Sequence, residues 1–431
     1  MDELRQARES IDRIDAELAR LFAARMAAAE RIAAWKQANG LPIRDPKREA
    51  ELLARNLERI EEPALRPYYK AFQEGVMACS RAYQAELLGQ SAALLSVRTA
   101  SGVSPVYLRR GALSEAGKRL HLNRRVFLVS DDGIPAEYSR TLAAQCKQAV
   151  CFVIPQGEGS KSLPQLQTLL LQMLRAGFTR SDCVLALGGG VVGDLAGLAA
   201  ALYMRGIDFY NVPTSLLAMV DSSVGGKTAV DLDGVKNAVG AFWQPKAVLI
   251  DPAVLESLPA RQMSNGLAEA VKMALTHDPA LFARFERPNG YGPVEDVIAA
   301  CLRIKASVVE ADEREAGLRR ALNFGHSLGH GIEAAANGKL LHGECVALGM
   351  LPMCAPALRT RLAAVLERLG LPIAIQAEAI DPERVLSAVT HDKKAQPDGA
   401  IQLVCVSEPG RYRFCTASPT ALRSALNSLL S

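Results

Sequence analysis

The run DCVLALGGGVVGDLAGLAAAL, residues 182–202, limits the possible folds of this chain more than any other stretch. A short apolar run that stops at three consecutive glycines reads as a buried strand, and the longer Ala- and Leu-rich run after it reads as a helix. Strand, tight turn and helix in that order form the repeating unit of a parallel α/β sheet. Similar runs lie nearby. RRVFLVSDDG, AVCFVIPQGEG, DFYNVPTS and KAVLIDP are strand-like and end in turn residues, with amphipathic stretches such as LPQLQTLLLQMLRAGF between them. A doubly wound α/β domain over residues 98–257 is therefore expected.

Residues 1–90 read as helix alone. Leu4, Ile11, Ile14, Leu18, Leu21 and Phe22 recur at helical spacing, and alanines fill much of the rest to Trp35. NGLPIRDP interrupts the pattern, and Asp45 before Pro46 is placed to cap and open a second helix. A third helix is expected from Pro67 to Leu88. Three helices enclose little core of their own, so a homodimer or higher homo-oligomer is expected. The small, polar stretch GQSAALLSVRTASGVSP marks a linker at residues 91–97. Beyond Leu258 helices dominate until AIQLVCVSEPG, a strand or hairpin. The expected class is thus an all-α three-helix domain (1–90), a doubly wound α/β domain (98–257) and a mostly α-helical domain (258–431), with a cleft between the last two.

The totals exclude several roles. At 431 residues and 49% hydrophobic the chain has apolar material for more than one core. No run approaches the roughly 18 apolar residues of a membrane helix, and the charged start MDELRQARESIDRID is unlike a signal peptide. A formal charge of +4 is too mild for a general nucleic-acid binder. Nine cysteines without a CxxC pair read as reduced, buried thiols, which implies a cytoplasmic location.

Glycines 188–190 would let backbone approach a ligand, and the helix after them offers N-terminal amides to a pyrophosphate. The pattern is not the G-x-G-x-x-G fingerprint, and a turn built for tight packing is the plainer alternative. PQGEGSKSL adds Glu158 and Lys161, able to hold nucleotide hydroxyls. Arg205, Asp221, Lys227, Lys236, Asn237 and Lys272 lie in or beside glycine-flanked loops at strand ends, suited to a phosphorylated, carboxylated ligand. For a metal, Glu269 in NGLAEAVK, His326 in ALNFGHSLGH and His342 in LLHGECVALG make a His-His-Glu set with a coordination position left open. His330, one turn beyond His326, is a fourth ligand or a proton carrier; spacing does not separate the two. His121, His277 and His391 read as ordinary core or surface residues.

Residues 98–431 resemble the 3-dehydroquinate synthase family through GGGVVGDLAG, VPTSLLAMVDSSVGGKTAVD, KNAVGAFWQP, GLAEAVK, NFGHSLGH and HGECVALG. The resemblance implies a divalent metal, Zn2+ or Co2+, on Glu269, His326 and His342, with His330 on the substrate side. It implies NAD contacts from Asp131, Glu158, Lys161, the loop Gly189, Gly190, Val191, Val192, Gly193 and Asp194, and from Thr214 and Ser215. Substrate contacts would come from Arg205, Asp221, Lys227, Lys236, Asn237, Lys272, Lys305, Arg319, Asn323 and Lys393. Gly133, Gln156 and Ser215 stand where an asparagine, an aspartate and a second threonine are usual. The implied reaction takes a seven-carbon keto-acid phosphate through oxidation by NAD+, phosphate loss, reduction, ring opening and carbocycle closure, so NAD is regenerated in each turnover.

The segment ARESIDRIDAELARLFAARMAAAERIAAWKQANGLPIRDPKREAELL resembles the all-helical chorismate mutase family, with matching positions Arg8, Arg25, Lys36, Asp45, Arg48, Glu49 and Gln84. Arg25 and Lys36, eleven residues apart, share a helical face, whereas Arg8 lies off it and suits a partner's pocket in an intertwined dimer. Chorismate is a dianion that rearranges without a nucleophile, so a preorganised cationic pocket suffices. The alternative is another sugar-phosphate cyclase with a non-catalytic helical sensing or dimerisation module. A polyol dehydrogenase of related fold is a further rival.

Overall fold

The computed structural model describes residues 2–39, 41, 43, 45–88, 93–233, 235–315, 317–376, 380–390 and 401–430. The chain divides into two units, Met1–Ala93 and Leu94–Ser431. In the first, the alanine-rich amphipathic pattern gives helices α1 (Asp2–Ala38), α2 (Pro46–Glu58) and α3 (Arg66–Leu87). The Asp45 carboxylate accepts from the Arg48 amide at 3.0 Å and caps α2, with Pro46 in the first turn. On α3, Gln73, Met77, Ser80 and Gln84 recur every three or four residues and are buried, as are Ala29 and Ala33 of α1. The stripe Leu4, Ile11, Ile14, Leu18, Leu21 and Phe22 of α1 remains 43–58% exposed in the single chain.

The second unit starts with strand β1 at Leu95, inside the stretch expected to be linker. The sheet strands are β1 (Leu95–Thr99), β2 (Gly102–Leu108), β3 (Arg125–Asp131), β4 (Gln148–Ile154), β5 (Cys183–Gly188) and β6 (Asp208–Pro213). A hairpin of β7 (Lys227–Leu232) and β8 (Val235–Phe242) stands apart, and β9 (Ala247–Ile250) returns to the sheet. The order β1-β2-β9-β6-β5-β3-β4 is parallel except at β1. Helices α4 (Ala136–Ala143), α5 (Leu163–Arg175) and α6 (Gly190–Leu202) join successive parallel strands.

Alternate residues of the central strands feed two cores. Phe127, Val129, Val184 and Ala186 pack with α5 and α6, while Val126, Leu128, Cys183 and Leu185 join a larger core that continues into the helical half. That half contains α7 (Ala260–His277), α8 (Pro279–Phe285), α9 (Val294–Ala311), α10 (His326–Ala336), α11 (His342–Met350), α12 (Pro356–Arg368) and α13 (Pro382–Thr390). The hairpin β10 (Ile401–Glu408) and β11 (Arg411–Ala417) precedes α14 (Pro419–Asn427). No helix among the described residues is long and apolar enough to cross a membrane.

The expectation of nine reduced, buried cysteines is corrected. Cys405 and Cys415 form a disulfide across the hairpin, and Cys79 and Cys151 are exposed. In this antiparallel register Leu403 faces Cys415 and Cys405 faces Arg413, so the two cysteines are diagonal neighbours with Cα atoms 6.5 Å apart. Seven thiols stay free, four of them buried: Cys183, Cys301, Cys345 and Cys354. Thiol titration of the denatured protein should therefore give seven groups before reduction and two more after it; nine before reduction would show the bridge absent.

Candidate functional site

His326 and His342 are the first residues of α10 and α11. Gly325 turns the chain into α10 with φ 77°, and a Cβ there would fall 2.6 Å from Met350 Cγ and 2.8 Å from the Val346 carbonyl oxygen. Only glycine meets both demands without strain. The Gly343 amide donates to Asn265 Oδ1 at 2.6 Å, which fixes the start of α11 against α7 one turn from Glu269.

These constraints aim three side chains at one point. His326 Nε2 lies 3.6 Å and His342 Nε2 3.4 Å from Glu269 Oε1. Each Nδ1 is anchored, His326 to the Phe324 carbonyl at 3.1 Å and His342 to Glu333 Oε2 at 3.2 Å. Those partners accept only, so they assign the ring protons to Nδ1 and leave both Nε2 lone pairs free to coordinate. Ligand atoms about 2.1 Å from one tetrahedral cation stand about 3.4 Å apart, so the spacing fits a small divalent ion. Glu269 is 1% exposed and neither oxygen makes a hydrogen bond, although Lys272 Nζ lies against Oε2. With Lys272 beside Oε2, it is Oε1, facing the two imidazoles, that favours a further cation. His330 stands close as well: the ligand nitrogens of His326, His330 and His342 lie within 4.8 Å of one another.

Burial, then the charge of Lys272, holds His326 well below the usual imidazole range, so it stays neutral. At His342 burial acts the same way but is overcome by Glu269 and Glu333, which raise it to about 9. The two carboxylates draw positive charge to this point, and a metal ion satisfies them in place of a proton.

Next to this group, Asp221 takes Lys272 Nζ at 3.3 Å on Oδ2 and Lys305 on Oδ1. Burial would raise the Asp221 carboxyl, but the two ammonium groups hold it well below its usual range. Burial, aided by Arg319 and Lys272 and resisted by Asp221, pushes Lys305 down to about 8. Buried Arg319 donates to the Glu313 carbonyl at 2.6 Å and the Gly225 carbonyl at 3.3 Å. Lys227 pairs with Glu315, whose Oε1 also accepts from Asn323 Nδ2 at 2.6 Å. Glu315 has φ 60°, a left-handed backbone that a glutamate adopts only where the surroundings enforce it. Arg205 and Asn237 also lie at left-handed positions, φ 65° and 52°. Among the described residues no hydrogen bond joins their side chains to this cluster. Lys393 and His391 lie outside the described residues.

The remaining expected contacts gather at the carboxyl ends of β4, β3, β5 and β6. This is where strand order reverses, since β3 lies between β4 and β5, and such crevices bind ligands in open α/β sheets. Gly189 precedes α6, whose first intrahelical bond runs from the Gly193 amide to the Gly189 carbonyl. The amides of Gly190, Val191 and Val192 have no partner within the helix. Lys161 Nζ sits 2.5 Å from Asp194 Oδ2. Asp131 ends β3, Glu158 lies 3.7 Å from Lys236, and Thr214 and Ser215 follow β6. A Cβ on Gly133 would lie 2.5 Å from Gln156 Cδ, so the two departures from the family pattern are complementary: the longer side chain occupies the space the missing one leaves.

In the helical unit, Lys36 Nζ donates to the Ile43 carbonyl at 2.5 Å and Arg25 to the Val76 carbonyl at 3.4 Å. Glu49 pairs with Arg81 at 2.8 Å. Gln84 is buried, donates to Ser80, and leaves Oε1 without a partner. Turning that amide over would present two donors at the same point. Lys36 thus lies at the end of α1, Asp45, Arg48 and Glu49 at the start of α2 and Gln84 in the second half of α3, with Glu49 tied to α3 through Arg81 and Arg25 three turns back on α1.

Sequence reasoning missed Glu315, Glu333 and Arg81. Glu333 had a readable signal, because it follows His326 by seven residues and so shares its face of α10. Glu315 and Arg81 had none.

Residues 151–265 match the family described as 3-dehydroquinate synthase N-terminal, residues 266–395 its C-terminal counterpart, and residues 7–85 chorismate mutase type II. The chain is similar to the 3-dehydroquinate synthase of Symbiobacterium thermophilum, 43% identical over 350 residues that cover 75% of this chain and 97% of that protein. The enzyme of the same name from Rhodospirillum rubrum is 42% identical over 357 residues, covering 76% and 92%. Among solved structures, 2-deoxy-scyllo-inosose synthase complexed with carbaglucose-6-phosphate, NAD+ and Co2+ is similar with a TM-score of 0.71 and 25% identity, covering 78% and 99%. The 2-epi-5-epi-valiolone synthase of Streptomyces hygroscopicus subsp. jinggangensis 5008, with NAD+ and Zn2+ bound, gives 0.69 and 28%, covering 76% and 96%.

Proposed function

The chain belongs to the 3-dehydroquinate synthase family and carries a chorismate mutase type II segment ahead of that region, and from this we infer a bifunctional shikimate-pathway enzyme. The larger unit converts 3-deoxy-D-arabino-heptulosonate 7-phosphate to 3-dehydroquinate and phosphate, and the helical unit rearranges chorismate to prephenate. The convergence of two anchored imidazoles on Glu269 Oε1, at 3.6 and 3.4 Å, carries the first reading.

In this assignment Glu269, His326 and His342 would hold one divalent ion, Zn2+ or Co2+. NAD would be held at the carboxyl ends of β3–β6 by Asp131, Glu158, Lys161, Gly189–Asp194, Thr214 and Ser215. When bound, the metal ion polarises a substrate oxygen and NAD+ takes up and returns a hydride. The chain's own residues do the rest. The open amides of α6 meet the pyrophosphate. Asp221 keeps Lys272 charged in a dry site and draws Lys305 beside it, and with Arg319 these cations grip the anionic ends of the substrate. Glu315 orients Lys227 and Asn323, His330 faces the substrate near its phosphate, and Arg205, Lys236, Asn237 and Lys393 complete the set.

Lys305, lowered to about 8 from an ordinary 10.5, sets a pH limit. It carries its charge below that value and loses it above, so the KM for the phosphate substrate should rise roughly tenfold or more as pH climbs past 8, the loss of one hydrogen bond to a charged group. Lys305→Arg should flatten the profile. An unchanged inflection in that variant would assign the titration elsewhere. Stability moves oppositely: between the folded and unfolded values the unfolded chain binds more protons, so this group makes the protein more stable as pH rises.

The deciding incubation contains the heptulosonate phosphate and NAD+, with and without chelator. Phosphate and dehydroquinate should form in step without net NADH, and chelation should stop both. Accumulating NADH would favour a polyol dehydrogenase. No phosphate from this substrate would favour a different sugar-phosphate cyclase.

For the mutase, Arg25, Lys36, Asp45, Arg48, Glu49 and Gln84 form a pocket for a small dianion. Arg8 stands seventeen residues from Arg25 on the same helix, about 26 Å along its axis, so it serves the pocket of a second copy. The uncovered apolar stripe of α1 supports the same homodimer. A cytoplasmic location accords with a biosynthetic enzyme of this kind.

A further inference from the structure

We propose that Glu333 is a positioning residue that ties the metal ligand His342 to the substrate-side Lys236. The inference rests on the metal reading above. Glu333 lies on α10, two turns after His326 and on the same face. Its side chain is 11% exposed, and each oxygen has its own partner: Oε2 lies 3.2 Å from His342 Nδ1, and Oε1 accepts from Lys236 Nζ at 2.6 Å. A carboxylate only accepts, so the first contact keeps the His342 proton on Nδ1 and turns Nε2 toward Glu269 Oε1, 3.4 Å away. The second draws in the tip of a hairpin residue that is otherwise 42% exposed and that reaches Glu158 on its far side at 3.7 Å. One rigid helix therefore carries a ligand, His326, and the support of another ligand on α11. The same carboxylate places the lysine that meets the substrate, so metal binding and substrate grip share a part.

The test uses the full-length protein stripped by chelator and titrated with Co2+ against a competing chelator, without substrate. Glu333→Ala should raise the Co2+ dissociation constant about 10–100-fold and alter the visible spectrum of the bound ion, with the metal-free protein still folded by circular dichroism. Glu333→Gln keeps the shape and an acceptor for His342 but offers Lys236 only an NH2 group or a half-lost contact. It should bind Co2+ more tightly than the alanine variant while raising the KM for the phosphate substrate about tenfold or more, the cost of one charged hydrogen bond. The proposal is overturned when wild type binds Co2+ and Glu333→Ala binds within twofold of it. Should Glu333→Ala fail to fold, Glu333→Gln decides: affinity and KM both within twofold of wild type overturn it. Wild-type protein that takes up no Co2+ would overturn the metal site itself, a separate and recognisable result.

Discussion

Replacing His326 with alanine is expected to lower phosphate release from the heptulosonate phosphate by about 10³-fold while chorismate turnover keeps its rate. Polarisation by a bound metal ion contributes several kcal/mol to such a transition state, and each ~1.4 kcal/mol is a factor of ten in rate. In the proposed site His326 is one of three donors, and its loss leaves Glu269 and His342, two where a catalytic tetrahedral ion takes three from the protein. The substitution is chosen with the fold in mind. Glu269→Ala would leave Lys272, 1% exposed, with Asp221 alone, itself shared with Lys305. Breaking a buried ion pair in that way costs about 3–5 kcal/mol and would confuse lost chemistry with lost folding. His326→Ala leaves that pair intact. The checks are a phosphate assay, metal content after dialysis and a melting curve. Full phosphate release from a folded, metal-poor variant would remove the metal from the mechanism.

Lys36→Ala should lower the chorismate rearrangement by about 10²–10³-fold, the usual effect of removing one preorganised donor from a site that works by electrostatics alone. Arg25 does not substitute for it, being eleven residues back along α1 and held to the Val76 carbonyl. Lys36 makes one hydrogen bond, to the Ile43 carbonyl at the end of its helix, so little stability goes with it. The measurement is the loss of chorismate absorbance, with the phosphate assay run on the same sample as an internal control for folding. A wild-type protein without chorismate turnover would make the helical unit a sensing or assembly module instead.

How much of the fold and the site is legible in the sequence differs by feature, for physical reasons. The β5–glycine–α6 unit was legible because burial on both faces forces an uninterrupted apolar run and the turn forces glycine. The Asp45–Pro46 helix start was legible because capping chemistry is local. The proposed metal donors could be picked as residue types, since few side chains serve a divalent ion, but their convergence depends on the α7, α10 and α11 packing that no spacing encodes. Glu315 was invisible: in DEREAG it is one more charge in a polar loop, and its left-handed backbone and two partners arise only when the loop folds over Lys227 and Asn323. The Cys405–Cys415 bridge was missed because its pairing follows hairpin register, not sequence motif.

The seam between α10 and α11 has a last consequence. A Cβ at Gly349 would overlap the Gly325 carbonyl, and one at Gly329 would meet the Cys345 carbonyl at 3.0 Å, so here main chain rests directly on main chain. Such a joint sets the spacing of the two helix backbones directly, while Asn265 and Glu333 set the start of α11 and the turn of the His342 ring. Exchanging one hydrocarbon for another in the surrounding apolar lining would leave this main-chain contact in place. A scaffold of this kind can acquire new substrates by altering its loops without rebuilding its centre.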